Sequence, residues 1–251
     1  LTEPFDGLFT QGMVCHETYK DHNNNWLSPN EIFTDDGKSY YIKKTPSEIV
    51  TIGASESMSK SKKNTIDPES IIENYGADSV RLFILSDSPP EKDVQWSEQG
   101  MKASYKFLQK LWLLHQKIKE KINLKNASSN QLNNISKFTN QLILKVTNNL
   151  EKFHYNGIVA NLYETYNFMI KVLNQPLDQK DLLKNYKKIL YLMMPLVPHF
   201  ASECLEDLKI TSKVEWPIAD KKILKSKEID MVIQVNGKKR NTISVEKNIE
   251  E

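Results

Sequence analysis

A short cationic stretch near position 60 holds the residue types best suited to chemistry. Ser57, Met58, Ser59, Lys60 and Ser61 are followed by two more lysines, so small hydroxyl residues alternate with ammonium groups. A mobile lysine can reach the oxygens of a polyphosphate, and backbone N–H groups and serine hydroxyls add donors at short range. The same residues also fit an idle solvated linker or, less well, a nuclear-targeting signal, because acidic residues flank a short basic run. The residues alone leave these three interpretations open.

The residues after this stretch predict a rigid base for a mobile loop. Asp67 can accept hydrogen bonds from the free N–H groups of a first helical turn, and Pro68 suits the first helical position, where no donor is needed. Gly76 predicts a left-handed stop to that helix. Asp78 then predicts the start of a second helix, which ends before Pro89.

Residues 97–208 predict a helical bundle. Ser97 is a candidate N-cap, and apolar residues then recur every three or four positions, as they do on one face of an α-helix. Pro195 and Pro198 interrupt the chain before a last helix. Four or five such amphipathic helices with short joints form a bundle. The predicted apolar faces are Met101, Tyr105, Leu108, Trp112, His115, Ile118 and Ile122; Leu132, Ile135, Leu142, Val146 and Leu150; Ile158, Leu162, Tyr166, Ile170 and Leu173; and Leu182, Tyr186, Ile189 and Met193.

The two ends of the chain predict small β elements. Residues 1–56 hold apolar runs separated by turn residues, with one strand expected at 39–43. Residues 209–251 begin with a polar connector and then alternate apolar residues around Asn236-Gly237, a pair that suits the turn of a tight hairpin. The expected fold class is therefore mainly α with small β elements. Trp96 and Trp112 are expected in the core, and His199 is expected to pack or cap a helix.

Bulk composition excludes several classes of protein. The 251 residues carry a formal charge of +2, which is too small to indicate a polyanion partner by itself. No apolar run approaches the roughly 20 residues that span a bilayer, and the N-terminus has no signal-peptide pattern. We therefore expect no membrane partner and a cytoplasmic location. Cys15 and Cys204 are expected to be reduced thiols. The five histidines follow no ligand spacing, so no metal is expected.

Lysines are concentrated between positions 101 and 152. This segment contains ten lysines and only two acidic residues, a local excess of eight positive charges. The excess fits either a solvated helix surface or a face that tracks the phosphates of a folded RNA, whose binding would be sensitive to salt. A second basic site follows Asn236-Gly237 and carries the same two interpretations; it comprises Lys238, Lys239 and Arg240.

Met58-Ser59-Lys60-Ser61 resembles the second signature of the class I aminoacyl-tRNA synthetases, and longer phrases are similar to leucyl-tRNA synthetases. The phrase LFTQGMVCHETY resembles their last catalytic strand region, and the 43 residues from Met58 resemble their signature loop and stem-contact region. YLMMPLVPHFASECL is similar to the end of their anticodon-binding domain, and VIQVNGKKRNTISV to the opening of their C-terminal domain. The resemblance covers nearly the whole chain.

The resemblance implies five segments. These are the end of a Rossmann-like nucleotide-binding domain (1–19), a β-rich leucine-specific insertion (20–56), the loop and stem-contact region (57–96), a helical tRNA-binding bundle (97–208), and a linker with the start of a C-terminal β-containing domain (209–251). No first signature of the His-Ile-Gly-His type and no editing domain are recognisable in the sequence. We therefore expect a C-terminal fragment that is inactive in adenylation by itself.

The resemblance also implies a reaction and a set of site residues. ATP, as its Mg²⁺ complex, would activate leucine to leucyl-adenylate, and the leucyl group would pass to leucine tRNA; no tightly bound cofactor is implied, and a monomer is expected. Lys60 falls on the signature lysine that stabilises departing pyrophosphate, within an ATP-binding loop of Ser57, Met58, Ser59, Lys60 and Ser61. The candidate tRNA contacts are Arg81, Lys102, Lys106, Lys110, Lys117, Lys238, Lys239 and Arg240.

One departure from the family pattern concerns the loop itself. Ser57 stands where the family usually has its first lysine. Either Lys62, Lys63 or another group substitutes for it, or the loop is weakened, or the residue was changed by engineering. Two other identities remain open: a fragment of a valyl- or isoleucyl-tRNA synthetase, against which QVNGKKR argues, and a non-catalytic RNA-binding module that reuses the same helices.

Overall fold

The computed structural model describes residues 4–5, 7–124, 134–224, 228–235 and 238–246. Its β sheet is built around strand β1 (Val14–Lys20), which pairs antiparallel with β2 (Trp26–Leu27) and β5 (Thr51–Ser57) and parallel with β6 (Val94–Gln95). Because β5 runs along most of β1, one sheet spans the divisions that the resemblance implies after residues 19 and 56.

The chain between β1 and β5 folds over this sheet. A 3₁₀ turn (Pro29–Glu31) leads into β3 (Ile32–Phe33), which pairs with β4 (Tyr41–Ile42). The strand expected at 39–43 is therefore present but two residues long. A small separate core holds this region together; it consists of Tyr19, Leu27, Ile32, Ile42 and Val50.

Two short helices follow the loop, as the sequence predicts. Helix α1 (Pro68–Tyr75) is capped by Asp67, whose carboxylate accepts a hydrogen bond of 3.2 Å from the Glu69 N–H. Gly76 ends it with φ 78° and ψ 152°. The positive φ is as expected, but this ψ lies outside the left-handed helical region, so the predicted stop geometry is wrong. Helix α2 (Ala77–Ser86) begins one residue before Asp78.

The predicted helical bundle is confirmed. It comprises α3 (Glu98–Asn123), α4 (Ile135–Glu151), α5 (Tyr155–Leu173), α6 (Gln179–Met193) and α7 (Pro198–Asp207). Ser97 caps α3 by accepting from the Gly100 N–H at 3.1 Å. One continuous apolar core joins all five helices to α2.

The apolar faces differ from prediction on two helices. On α3, Trp112 is 37% exposed, which contradicts its assignment to the core. On α5, Ile170 is 38% exposed, and Met169 is buried in its place. Helix α3 carries two apolar stripes side by side, and the surrounding helices bury the stripe that was not predicted. The buried stripe of α3 is Met101, Ser104, Phe107, Leu111, Leu114, His115 and Ile118. The face predicted on α6 is entirely buried; Leu132 lies outside the described residues.

Helix α2 packs closely on the start of α3. The ring of Phe83 meets that of Trp96 edge-on with centroids 5.4 Å apart. Trp96 was expected in the core, but it is only half-buried and also lines the neighbouring cleft. A Cβ atom at Gly100 would lie 2.7 Å from Phe83. Only glycine therefore allows this approach, which ties the loop's supporting helices to the bundle.

The last described elements are a connector and a hairpin. A short helix α8 (Lys221–Leu224) precedes β7 (Glu228–Val235), which pairs antiparallel with β8 (Lys238–Glu246), so the predicted hairpin is confirmed. Its turn residues Asn236 and Gly237 lie outside the described residues. Cys15 and Cys204 are buried free thiols. None of the helices among the described residues has the length and apolar character needed to cross a bilayer.

Candidate functional site

The sheet carries the start of the Lys60 loop. Ser57 is the last residue of β5, opposite Cys15, and the Met58 N–H donates to the Val14 carbonyl at 3.1 Å. Ser57 was expected in a mobile loop, and this expectation is wrong, because β5 extends through it. The turn that could carry chemistry is therefore residues 58–64, which we call the Lys60 turn.

The Lys60 turn is closed by its own hydrogen bonds. The Lys62 N–H donates to the Ser59 hydroxyl at 3.3 Å, and the Lys63 N–H donates to the Lys60 carbonyl at 3.2 Å. The hydroxyls of Ser59 and Ser61 are 3.2 Å apart. Lys63 adopts a left-handed conformation with φ 54°, which a residue other than glycine takes at some cost. The loop that was expected to be mobile is in fact a compact turn closed by these hydrogen bonds.

Asn64 anchors this turn and was not among the predicted site residues. Its side-chain oxygen accepts from the Ser59 N–H at 2.8 Å, and its amide nitrogen donates to the carbonyls of His16 at 3.2 Å and Glu56 at 3.1 Å. The residue is fully buried. Its place between a lysine run and a helix N-cap does not indicate these partners, because only the fold brings them together.

The three lysines of the turn differ in their electrostatic surroundings. Lys62 pairs with Glu56, and Lys63 lies 4.0 Å from the carboxylate of Glu31. Lys60 is exposed, and no carboxylate within the described residues pairs with it. Lys62 and Lys63 are therefore already paired with carboxylates, which weakens the expectation that either one replaces the lysine absent at position 57.

A large cleft of about 1110 Å³ adjoins the base of the turn. Ser55 and Ile66, on either side of the turn, contribute to its wall, together with β1 and the start of α3. Lys60 is not among the described residues that line it. Burial lowers the pKa of His16 in this wall, so its imidazole is neutral at pH 7, and its Nδ1 is buried without a hydrogen-bond partner in the described part of the chain.

Arg81 binds the corner between α6 and α7. Its Nε donates to the Leu196 carbonyl at 3.0 Å and its Nη2 to the Pro195 carbonyl at 2.6 Å. Arg81 was expected to contact tRNA, and these bonds to backbone carbonyls neither test nor exclude that contact. The RNA contact stays a prediction, made by a guanidinium that the bundle already holds.

Asp78 supplies the missing cap of α7. Its buried carboxylate accepts from the His199 N–H at 3.4 Å and the Phe200 N–H at 2.7 Å, whereas α7 has no cap of its own. The His199 side chain was expected to pack or cap, and it is exposed instead. Asp78 and Arg81 together fasten α2 to both sides of this corner.

Helix α3 presents four exposed lysines on one side. Steps of four, four and seven residues keep their side chains within an arc of about 80°. We call this set the α3 lysine face: Lys102, Lys106, Lys110 and Lys117. Lys102 pairs with Glu98 at 3.3 Å.

Acidic residues from other helices reduce the local charge excess. Lys119 pairs with Asp207 of α7, and Lys145 lies 2.9 Å from Glu164 of α5. The excess of eight positive charges in the sequence is therefore smaller on the folded surface. In the second basic site, Arg240 is exposed next to a register shift in the hairpin, whereas the side chains of Lys238 and Lys239 lie outside the described residues.

A polar cluster surrounds the buried His115 and reaches the surface at Asp207. His115 Nδ1 is 3.0 Å from the Tyr186 hydroxyl, and its Nε2 is 2.9 Å from Asp207. Burial lowers the pKa of His115, and hydrogen bonds from Lys119 and His115 lower the pKa of Asp207. The imidazole is inaccessible, so the cluster serves packing. Across the described ranges, no group of three or more His, Cys, Asp or Glu side chains could hold a metal ion.

Family comparisons match two parts of the chain. Residues 133–251 match the anticodon-binding domain of tRNA ligase, and residues 37–97 match the class I tRNA synthetases for I, L, M and V. A solved structure, the ternary complex of Agrobacterium radiobacter K84 agnB2 LeuRS-tRNA-LeuAMS, aligns with 78% of this chain and 26% of its own at a TM-score of 0.64. Its identity of 22% shows the fold alone.

Curated relatives match the chain almost throughout. Leucine–tRNA ligase of Bartonella tribocorum is 40% identical over 98% of this chain and 29% of its own length. The corresponding protein of Mesorhizobium japonicum is 38% identical over 98% of the chain and 30% of its own length. The chain thus spans less than a third of the length of these relatives. On these sequence matches, the chain belongs to the leucine–tRNA ligase family of the class I aminoacyl-tRNA synthetases.

Proposed function

We propose that the protein to which this chain belongs activates leucine with ATP and transfers it to leucine tRNA, and that Lys60 stabilises the departing pyrophosphate. The observation that carries this proposal is the state of the Lys60 ammonium. It is exposed on a closed turn, and it has no carboxylate partner among the described residues, whereas Lys62 and Lys63 are paired. An unpaired ammonium is available to a phosphate.

The chemistry explains why an ammonium is needed there. The leucine carboxylate attacks the α-phosphorus of ATP, and the bond from that phosphorus to the bridging oxygen breaks. Negative charge grows on the bridging oxygen and the leaving pyrophosphate. A positive group held near these atoms stabilises the transition state more than the ground state and so raises the rate. Mg²⁺ enters with ATP as part of the substrate. Ser57, Met58, Ser59 and Ser61 complete the ATP loop in this proposal.

The bundle supplies the RNA contacts in this proposal. The α3 lysine face would follow the phosphates of the tRNA body, with Arg81, Lys238, Lys239 and Arg240 as further contacts. The solved structure of similar fold is a LeuRS-tRNA-LeuAMS complex, and the proposal extends that combination to this protein. We propose a cytoplasmic monomer that contains no tightly bound cofactor.

The test uses the full-length ligase that contains this chain. Leucine-dependent exchange between ATP and labelled pyrophosphate measures adenylation without tRNA. Lys60→Ala should lower the exchange kcat by roughly 10²- to 10³-fold, the usual effect of removing one donor to developing charge. Lys180→Ala is the matched control, because it removes an exposed lysine from α6 and should leave the rate unchanged.

Exchange by Lys60→Ala at the wild-type rate would contradict the proposal, because it would remove Lys60 from the reaction. Exchange by the 251-residue chain alone at the full-length rate would contradict a different expectation, that this chain is inactive in adenylation by itself. The rival function, a tRNA-binding module without catalysis, is favoured by the α3 lysine face. It would be established if the full-length protein bound tRNA but showed no leucine-dependent exchange.

A further inference from the structure

Asn64 joins three separate pieces of backbone. Its amide reaches the Ser59 N–H inside the Lys60 turn, the His16 carbonyl in β1 and the Glu56 carbonyl in β5. Both amide N–H groups and the amide oxygen can be satisfied by these three contacts. Because the side chain is fully buried, each lost contact would leave a polar group without water, which is costly.

These contacts hold the backbone on both sides of Lys60. The N–H of the preceding residue, Ser59, is held by Asn64, and the carbonyl of Lys60 accepts from the Lys63 N–H. The backbone at Lys60 is therefore fixed to the sheet, and its freedom lies in the side-chain torsions. A charged group placed in this way needs little rearrangement when substrate charge develops.

We propose that Asn64 is a positioning residue for Lys60: its amide sets where the ammonium is delivered, without touching substrate itself. This inference rests on the proposed function. A contact that matters in the transition state should change kcat and leave the KM for ATP unaltered. A contact that only stabilises the fold should lower stability and leave the rate per folded molecule unaltered.

Two substitutions in the full-length ligase distinguish the role of the amide oxygen from that of the amide nitrogen. Asn64→Asp keeps the shape and the oxygen that accepts from Ser59, but it places a second oxygen against the carbonyls of His16 and Glu56. Asn64→Ala removes all three contacts. We expect both variants to lower the pyrophosphate-exchange kcat by roughly 10- to 100-fold, with the KM for ATP within about twofold of wild type. Asn64→Asp should be the slower, because it adds repulsion.

The control is another asparagine of the same region. Asn74 in α1 is exposed and donates to the Ser70 carbonyl at 2.7 Å, so Asn74→Ala removes a side-chain hydrogen bond without touching the turn. Its kcat should equal that of wild type. Binding of tRNA by each variant, measured separately, confirms that the bundle is folded.

A double mutant tests whether Asn64 acts through Lys60. If it does, adding Asn64→Ala to Lys60→Ala should cost no further activity, since the group being positioned is already gone. Full multiplication of the two losses would overturn the inference. So would a wild-type kcat in Asn64→Ala and Asn64→Asp, or loss of folding in both variants and in the milder Asn64→Ser. Wild-type exchange by Lys60→Ala would instead refute the proposed function.

Discussion

The Lys60 turn and the α3 lysine face both present ammonium groups, but they differ in how many of these groups are paired with carboxylates. In the turn, carboxylates on β5 and on the 3₁₀ turn engage Lys62 and Lys63, and one lysine is left unpaired. On α3, helical periodicity places four lysines on one side, and only Lys102 pairs with an acidic residue among the described residues. The turn presents a single defined charge, and the helix presents a broad field.

This difference bears on what each region can do. A single ammonium on a backbone fixed by Asn64 suits one geometry, such as a leaving group in a reaction. Several flexible ammonium groups on a helix surface suit many phosphates at once, because each contact contributes independently through released counterions. The comparison predicts that substitutions in the turn change rates, whereas substitutions on α3 change affinity and its dependence on salt.

For the α3 lysine face, the largest expected effect is on tRNA affinity. Reversing Lys106, Lys110 and Lys117 together to Glu removes three phosphate contacts if the α3 lysine face binds RNA. With a slope of about 0.7 to 0.9 per contact, the Kd for tRNA at 0.1 M salt should rise on the order of 10²-fold. The slope of log Kd against log salt should fall by about 2 to 3. Filter binding over a range of salt concentrations measures both quantities.

A control of equal charge change lies on the other helices. Lys171, Lys180 and Lys184 are exposed on α5 and α6, and reversing them changes the net charge by the same amount. If this triple weakens tRNA binding as much as the α3 triple does, the effect is one of net charge, and the α3 lysine face is not a binding site. Neither triple should change the exchange kcat.

The next effect tests whether carboxylates select the active lysine. In a Lys60→Ala background, Glu56→Gln should free Lys62 and restore exchange roughly tenfold, because glutamine keeps the shape and removes the charge that holds the ammonium. Glu31→Gln frees Lys63, whose pair is longer, and should restore less. No gain from Glu56→Gln would show that position along the turn, rather than pairing, decides which lysine acts.

Parts of this arrangement were readable from the sequence, for physical reasons. The cap at Asp67, the cap at Ser97 and the bundle follow from local chemistry and from periodicity, so they were predicted correctly. The buried stripe of α3 was not predicted correctly, because the helix has two apolar stripes and the packing of neighbouring helices decides which one is buried. The same limit applies to Asn64, Asp78 and Arg81, whose partners lie up to 122 residues away. Local residue types cannot indicate such partners.

A smaller effect concerns stability in acid. Burial lowers the pKa of His115 below 6.5, so the unfolded chain takes up the proton first as pH falls. Its contribution to stability is complete above pH 6.5 and declines below it. The Asp207 contribution, whose pKa is lowered from 3.8, persists to lower pH. Urea unfolding of the chain, followed by tryptophan fluorescence, should show a midpoint that falls between pH 7 and pH 5.

His115→Gln provides the matching control for acid unfolding. Glutamine can still hydrogen-bond with Tyr186 and Asp207 but does not titrate. The variant should be less stable at pH 7 and should lose most of the change in midpoint between pH 7 and pH 5. An unaltered pH dependence would assign the acid sensitivity to other groups.

The smallest expected effect comes from adding a lysine where the family usually has one. Ser57 is exposed at the end of β5, directly before the Lys60 turn, so a longer side chain fits there without displacing the core. Because Lys62 and Lys63 are engaged by carboxylates, Ser57→Lys would add a cation beside Lys60, which has no carboxylate partner among the described residues. We expect the KM for ATP in the full-length ligase to fall about two- to fivefold, with a smaller change in kcat, as suits a surface cation in water.

Ser57→Gln separates charge from length in this prediction. Glutamine extends the side chain without a charge, so its KM for ATP should match wild type, and the difference between the two variants should shrink as salt is raised. An equal gain in both variants would mean that the side chain acts by packing. A gain in neither would mean that Lys60, held by Asn64, is the only cation of this turn that ATP meets, and the contrast with the many-lysine surface of α3 would be sharper still.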